Sequence, residues 1–233
     1  MAYERYNENT PRIRGVLFDM DGLVMDTEKL FCRFWAEAAQ AHGFPMTFEQ
    51  ALGMRALSSA AGEAKIQSYF GPTASYRAIR QTRIQLMDAH IAKYGVETKP
   101  GIRQLLDYLQ ANGIRTAITS SSPLSRIQQY LSQHCLDTRF DKLCSGHNVP
   151  NGKPAPDIYL YGAASLGLDP AACLTLEDAP AGIESAYRAG CHPVLIPDLD
   201  TPGEEILTKC FAKADSLRDI MDLLNDLRDR RGR

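Results

Sequence analysis

The sequence predicts an α/β fold, a doubly wound parallel-sheet core that carries an all-helical insert after its first strand. Three observations predict it. Beyond residue 100, short apolar runs of strand length alternate with amphipathic segments. Residues 27–97, by contrast, show only helical periodicity. Acidic pairs also stand directly after two of the apolar runs, at the edge where an open parallel sheet receives ligands.

The first strand falls at residues 13–18 and stops abruptly at Asp19. In the insert, Leu30, Phe31, Phe34, Trp35 and Ala38 recur at three- and four-residue steps, which makes one helix. Gly43-Phe44-Pro45 breaks it, and Thr47 caps the next. Further helices are predicted at residues 58–69, ended by Gly71-Pro72, and at about 75–94. After Lys99-Pro100-Gly101 come a helix at 102–112, a strand at 114–119 and a helix at about 124–134. A short segment follows around 140–144, then a helix from Pro156 to near Gly167 and a strand at 174–176. A helix at 181–189 and a strand at 193–196 complete the alternation. Right-handed crossovers would put all the strand C-termini on one edge. The boundaries drawn are a core at 12–26 and 98–233, a helical unit at 27–97 and a polar N-terminal tail at 1–11.

A chain of 233 residues, 44% of them hydrophobic, suits one large domain or one domain with an insert. Its formal net charge of -2 gives no electrostatic ground for binding nucleic acid or an anionic membrane. Arg228, Arg230, Arg231 and Arg233 are interrupted by Asp229 and read as a solvated tail rather than a binding patch. The six cysteines include no CxxC pair and mostly adjoin apolar residues. Buried free thiols in a reducing compartment are therefore expected, not disulfides or zinc. No stretch approaches the ~18 apolar residues of a membrane span, and residues 1–11 lack a signal-peptide core. The expected location is cytoplasmic, and nothing demands more than a monomer.

Asp19-Met20-Asp21-Gly22 follows the first strand. Two carboxylates so close repel each other without a cation, and a hard divalent ion held by oxygen is the usual remedy. A turn with two exposed aspartates would explain the same letters. A calcium loop would need its next acid at Leu23 and its glycine at Val24, so that pattern is not met. Glu177-Asp178 repeats the arrangement at a second strand end, although Asp178 could equally cap the helix after it. Two acidic pairs that both end strands favour a metal site over two turns.

Thr119-Ser120-Ser121-Ser122 follows a third strand. Hydroxyls and backbone N–H groups at a strand-to-helix turn make a phosphate cradle, though alone they would read as a helix cap. Lys153 opens Lys-Pro-Ala-Pro-Asp on a loop stiffened by two prolines. A lysine held there can neutralise a phosphoryl group and a nucleophile's charge. A solvated loop lysine is the plainer alternative, and its weight comes from its company.

Taken in order, Asp-Met-Asp-Gly-Leu-Val-Met-Asp-Thr from Asp19, Thr-Ser-Ser from Thr119, Gly-Lys-Pro-Ala-Pro-Asp from Gly152 and Leu-Glu-Asp-Ala-Pro-Ala-Gly-Ile from Leu176 form one series. It resembles the motifs of the haloacid dehalogenase-like hydrolase superfamily, over nearly the whole chain. The insert looks like the helical cap of the branch that contains β-phosphoglucomutases and sugar- and nucleotide-phosphate phosphatases. Residues 176–181, with Ile196-Pro197-Asp198, look especially like the pseudouridine-monophosphate phosphatase group. The resemblance implies a Rossmann-like core with an inserted cap and Mg2+-dependent hydrolysis of a small phosphate monoester, a sugar or nucleoside phosphate, through an aspartyl-phosphate.

It makes Asp19 the nucleophile and Asp21 the proton donor and acceptor. Asp19, the Asp21 carbonyl and Asp178 would hold Mg2+, with Glu177 supporting at first or second shell. Ser120, with Thr119 and Ser121 beside it, would hold phosphoryl oxygens, and Lys153 would balance charge. A phosphomutase shares all of these, so the choice rests on the insert. Phe31 stands where β-phosphoglucomutases carry a histidine. Leu52 and Ala56 occupy their charged positions around the cap glycine, Gly53. Arg55 remains as a candidate substrate contact. These departures favour a phosphatase. A dehalogenase would leave Asp21 and Asp178 without a role, and a phosphate-accepting receiver module has its acidic residues in another order and no helical insert. An inactive binding protein is disfavoured because every motif residue is intact. The loop at residues 53–59 is expected to close over the core edge, with hinges near Thr27 and at 98–101.

Overall fold

In a computed structural model, residues 3–7, 9–55, 57, 59–199 and 203–231 are described. The chain forms two compact units, Met1–Met25 with Thr98–Arg233, and Asp26–Glu97.

The smaller unit is helical: α1 Thr27–Ala41, α2 Phe48–Leu52, α3 Ser59–Phe70 and α4 Tyr76–Tyr94. Thr47 caps α2 through a reciprocal box. Its hydroxyl accepts from the Gln50 N–H, and the Gln50 side chain accepts from the Thr47 N–H. Ser75 caps α4 in the same sense. Trp35 of α1 stacks on Tyr76 of α4 at 5.6 Å between ring centres. Gly62 lets α3 pass close to that stack, since a Cβ there would lie 2.4 Å from the Tyr76 ring. The sequence starts α3 at Ser58, which with Ala56 lies outside the described residues.

The larger unit is built on a seven-stranded sheet: β1 Tyr3–Arg5, β2 Gly15–Phe18, β3 Arg115–Ser120, β4 Lys142–Ser145, β5 Cys173–Glu177, β6 His192–Leu195 and β7 Ala212–Ala214. Their order is β1-β7-β6-β5-β2-β3-β4. Strands β2 to β7 run parallel. The edge strand β1 is antiparallel to β7, so the sheet is mixed rather than purely parallel. Helices α5 Ile102–Ala111, α6 Leu124–Ser132, α7 Asp157–Ser165, α8 Pro180–Arg188, α9 Glu204–Leu207 and α10 Asp219–Arg231 complete the unit.

Every residue of β2 is buried, as a central strand covered on both faces requires. Leu17 lies in one buried cluster with Ile158, Tyr159 and Ala163 of α7 and Ala186 of α8. Phe18, on the opposite face by strand alternation, meets Phe140 edge to face at 5.4 Å. Strand β2 has β3 on one side and β5 on the other. From β2 the chain winds outward through β3 and β4 and then crosses back to β5 on the other side, and this reversal opens a crevice at the C-terminal ends of these three strands.

Three further expectations need correction. Within the polar tail expected at residues 1–11, Tyr3–Arg5 form the edge strand β1. Arg228, Arg230 and Arg231 are exposed, as expected, but they belong to α10 rather than to a tail, and that helix buries Ile220, Leu223, Leu224 and Leu227. Basic residues in its last turn complement the helix dipole. Of the six free cysteines, Cys135 is exposed, whereas the other five are buried. No helix among the described residues is long and apolar enough to cross a membrane.

Candidate active site

Sheet register brings the first site residues together. Phe18 pairs with Ile118 on one side and Leu176 on the other, so one residue further Asp19 stands level with Thr119 and Glu177. The Asp19 N–H donates to the Leu176 carbonyl at 3.0 Å, and the Thr119 hydroxyl donates to the Phe18 carbonyl at 3.1 Å. Both bonds fix the end of β2. Beyond it the chain doubles back, with the Gly22 N–H donating to the Met25 carbonyl at 2.9 Å. Gly22 has φ 86°, a left-handed conformation that glycine takes without steric cost.

Lys153 arrives from the loop before α7. Its ammonium donates to Asp19 Oδ1, to Glu177 Oε1 at 2.6 Å and to the Thr119 carbonyl at 3.3 Å. The loop is pinned by the Ser185 hydroxyl of α8, which donates to the Ala155 carbonyl at 2.6 Å. The Asn151 N–H and side-chain amide add bonds to Asp157 Oδ1. The buried Glu177 carboxylate also accepts from the Tyr159 hydroxyl.

Burial works against charge on Lys153, but the Asp19 and Glu177 carboxylates outweigh it and hold the ammonium pKa well above its ordinary value. Burial raises the Glu177 pKa, with Lys153 pulling the other way. Tyr159 is pushed well up, by burial first and then by Glu177, so it keeps the proton it donates.

Asp19, Glu177 and Asp178 offer three carboxylate oxygens within 4.8 Å of one another. Such a set of hard oxygen donors on a mostly buried edge fits Mg2+. Asp178 is 5% exposed. The N-cap position of α8 is held by Ala179, one residue after Asp178.

Asp21 lies beside the hydroxyl run. The Ser122 hydroxyl donates to Asp21 Oδ2 at 3.0 Å, and Ser120 Oγ reaches the same oxygen at 3.5 Å, the limit of a hydrogen bond. Ser120 Oγ also accepts from the Ser122 N–H at 3.0 Å. The Ser145 hydroxyl at the end of β4 donates to the Ser122 carbonyl at 2.8 Å and steadies the turn. Ser121 is exposed in that turn.

Asp19, Asp21, Thr119, Ser120, Lys153, Glu177 and Asp178 thus gather on one edge of the larger unit. Gly53 and Arg55 belong to the helical unit. A Cβ at Gly53 would lie 2.7 Å from the Tyr69 hydroxyl, and Arg55 Nε is 2.6 Å from Glu28 Oε2. Sequence reasoning assigned no role to Tyr159 or Ser145, and Ser122 was legible only as the last hydroxyl of its run.

The family model described as haloacid dehalogenase-like hydrolase matches residues 16–196. The chain belongs to that family, and the class to which the family match and the named relatives assign it is a phosphoric monoester hydrolase. Among curated proteins it is similar to "Hexitol phosphatase A" of Escherichia coli (strain K12), 33% identical over 202 residues, covering 82% of this chain and 87% of that protein. It is also similar to a Drosophila melanogaster protein named "Probable pseudouridine-5'-phosphatase", 31% identical over 201 residues, covering 82% and 85%. Among solved structures, CbbY from Rhodobacter sphaeroides in complex with phosphate aligns with a TM-score of 0.70 at 25% identity, covering 89% of this chain and 96% of that one.

Proposed function

We propose that this protein is a Mg2+-dependent phosphatase of small phosphate monoesters, sugar or nucleoside phosphates, acting through an aspartyl-phosphate on Asp19. The observation that carries the reading is Lys153, whose ammonium joins Asp19 to Glu177 at the sheet edge where Asp178 completes an acidic triad. Asp19, the Asp21 carbonyl and Asp178 would hold the ion, with Glu177 at its side. When bound, Mg2+ supplies positive charge to the phosphoryl oxygens and to the nucleophile.

The protein's own part follows from its donors and acceptors. An Asp19 oxygen attacks phosphorus, the bond from phosphorus to the ester oxygen breaks, and Asp21 gives that oxygen its proton. Asp21 then takes a proton from a water that attacks the same phosphorus, releasing phosphate and restoring the Asp19 carboxylate. Ser122, bonded to Asp21, holds that carboxylate in place between the two steps. Ser120, with Thr119 and Ser121 beside it, supplies hydroxyl and backbone donors for the phosphoryl oxygens, and Lys153 offsets the charge that gathers on the loose transition state.

A phosphomutase would have to grip a second phosphate. Arg55 is already engaged by Glu28, and Phe31 packs against Trp35 with ring centres 6.0 Å apart. Both favour the phosphatase. The names of the relatives point to polyol, sugar and nucleoside phosphates as the substrates to try, and the free thiols suit a cytoplasmic setting.

The test is Mg2+-dependent phosphate release from a panel of hexitol, sugar and nucleoside phosphates, with Asp19→Asn as control. Release by the wild type alone supports the reading, and the panel ranks the substrates. Interconversion of sugar phosphates that depends on a bisphosphate, without phosphate release, would replace it with the mutase.

A further inference from the structure

Gly182 is the third residue of α8, and its φ is not in the left-handed region. Alanine would fit that backbone and would favour the helix by about 1 kcal/mol. Local structure therefore gives no reason for glycine. The reason is space, and one side chain takes it. A Cβ at residue 182 would lie 1.9 Å from both Cδ and Oε1 of Glu177 and 2.2 Å from its Oε2. The three nearest atoms all belong to that carboxylate, so the missing side chain makes room for it first. The same carboxylate is held by donors, since Lys153 and the Tyr159 hydroxyl both reach Glu177 Oε1. Glu177 is 1% exposed. Its carboxylate thus has one place to sit.

We propose that Gly182 is a positioning residue whose bare Cα forms the seat of the Glu177 carboxylate and thereby sets the affinity of the Asp19–Glu177–Asp178 group for a divalent ion. This rests on the metal-dependent reading given above. A side chain at residue 182 forces the Glu177 carboxylate out of the seat, which removes one of three clustered oxygens and leaves Lys153 with Asp19 and the Thr119 carbonyl. Groups that orient a ligating carboxylate act on ion affinity by about 10- to 100-fold.

Mn2+ binding to the substrate-free protein, read from the spin-resonance signal of the free ion, measures that affinity without turnover. Gly182→Ala should bind Mn2+ about 10- to 100-fold more weakly than wild type. Glu177→Ala should also bind more weakly, and adding Gly182→Ala to it should cost no more than about twofold, because the clash is gone. That double variant should melt no lower than Glu177→Ala. If Gly182→Ala alone does not fold, the double variant decides. Folding and binding like Glu177→Ala upholds the seat, and failure like the single variant overturns it. A folded Gly182→Ala that binds as wild type overturns it, as do losses that multiply in the double variant. A wild type that binds no Mn2+ overturns the metal reading and the seat together, whereas the other results strike the seat alone.

Discussion

The Lys153 ammonium stands 2.6 Å from Glu177 Oε1, the same buried oxygen that accepts the Tyr159 hydroxyl, and it bonds Asp19 as well. A buried cation between two carboxylates serves both stability and chemistry.

Removing the charge separates the two. Lys153→Met leaves Asp19 and Glu177 facing each other in a buried site, and breaking such a pair costs about 3–5 kcal/mol. Denaturant unfolding in the presence of a chelator should report that loss, and saturating Mg2+ should restore part of it. Phosphate release should fall by about 10^2–10^3 under the same Mg2+, since charge stabilisation is gone.

On the proposed mechanism Ser122 acts through Asp21. Ser122→Ala removes the 3.0 Å bond and should slow phosphate release by about fivefold, the worth of one hydrogen bond. Asp21→Asn should slow it by about 10^2–10^4. If Ser122 serves Asp21, adding Ser122→Ala to Asp21→Asn should change the rate little. Steady-state rates of the four proteins check this.

Gly162 sets how closely α7 approaches β3. A Cβ there would lie 2.6 Å from Thr119 Cγ2 and 3.4 Å from a Leu17 methyl. Gly162→Ala should destabilise by about 1–3 kcal/mol through overpacking. It should also lower the rate, because the Thr119 carbonyl is a partner of Lys153. Unfolding midpoints and phosphate release together test it, and a change in neither would count against the geometry.

His192 gives the fold a pH dependence away from the site. Burial lowers its pKa below the ordinary value, with the bond between its Nε2 and the Ala171 carbonyl opposing. The folded state therefore prefers the neutral ring. Its contribution to stability is present above the unfolded pKa and is lost as pH falls through the folded one. Thermal midpoints should drop as pH falls below the ordinary imidazole pKa of about 6.5, and His192→Gln should make that drop shallower.

Much of this was legible in the sequence, for physical reasons. Strands β2, β3, β5 and β6 are buried apolar runs ended by turn-forming residues, and α1 and α5 carry clear apolar stripes. Residue spacing and strand ends put Asp19, Asp21, Glu177 and Asp178 on one edge. Strands β1 and β7 have three residues each, too few for periodicity to register, and their pairing depends on the rest of the sheet. Helix α10 is rich in charge at its end, which hides an apolar stripe. Tyr159 reads as a core aromatic from sequence, because only the tertiary fold brings its hydroxyl to Glu177. Gly182 reads as a helix flaw until the carboxylate over it is seen.

In the proposed reaction the phosphoryl group passes through Asp19. Quenching turnover with borohydride reduces an acyl phosphate to an alcohol, and peptide mass spectrometry then finds the altered residue. With Mg2+ and a phosphate ester that it hydrolyses, the wild type should yield homoserine at residue 19 and nowhere else. Phosphate release without any change at Asp19, together with undiminished release by Asp19→Asn, would contradict the account.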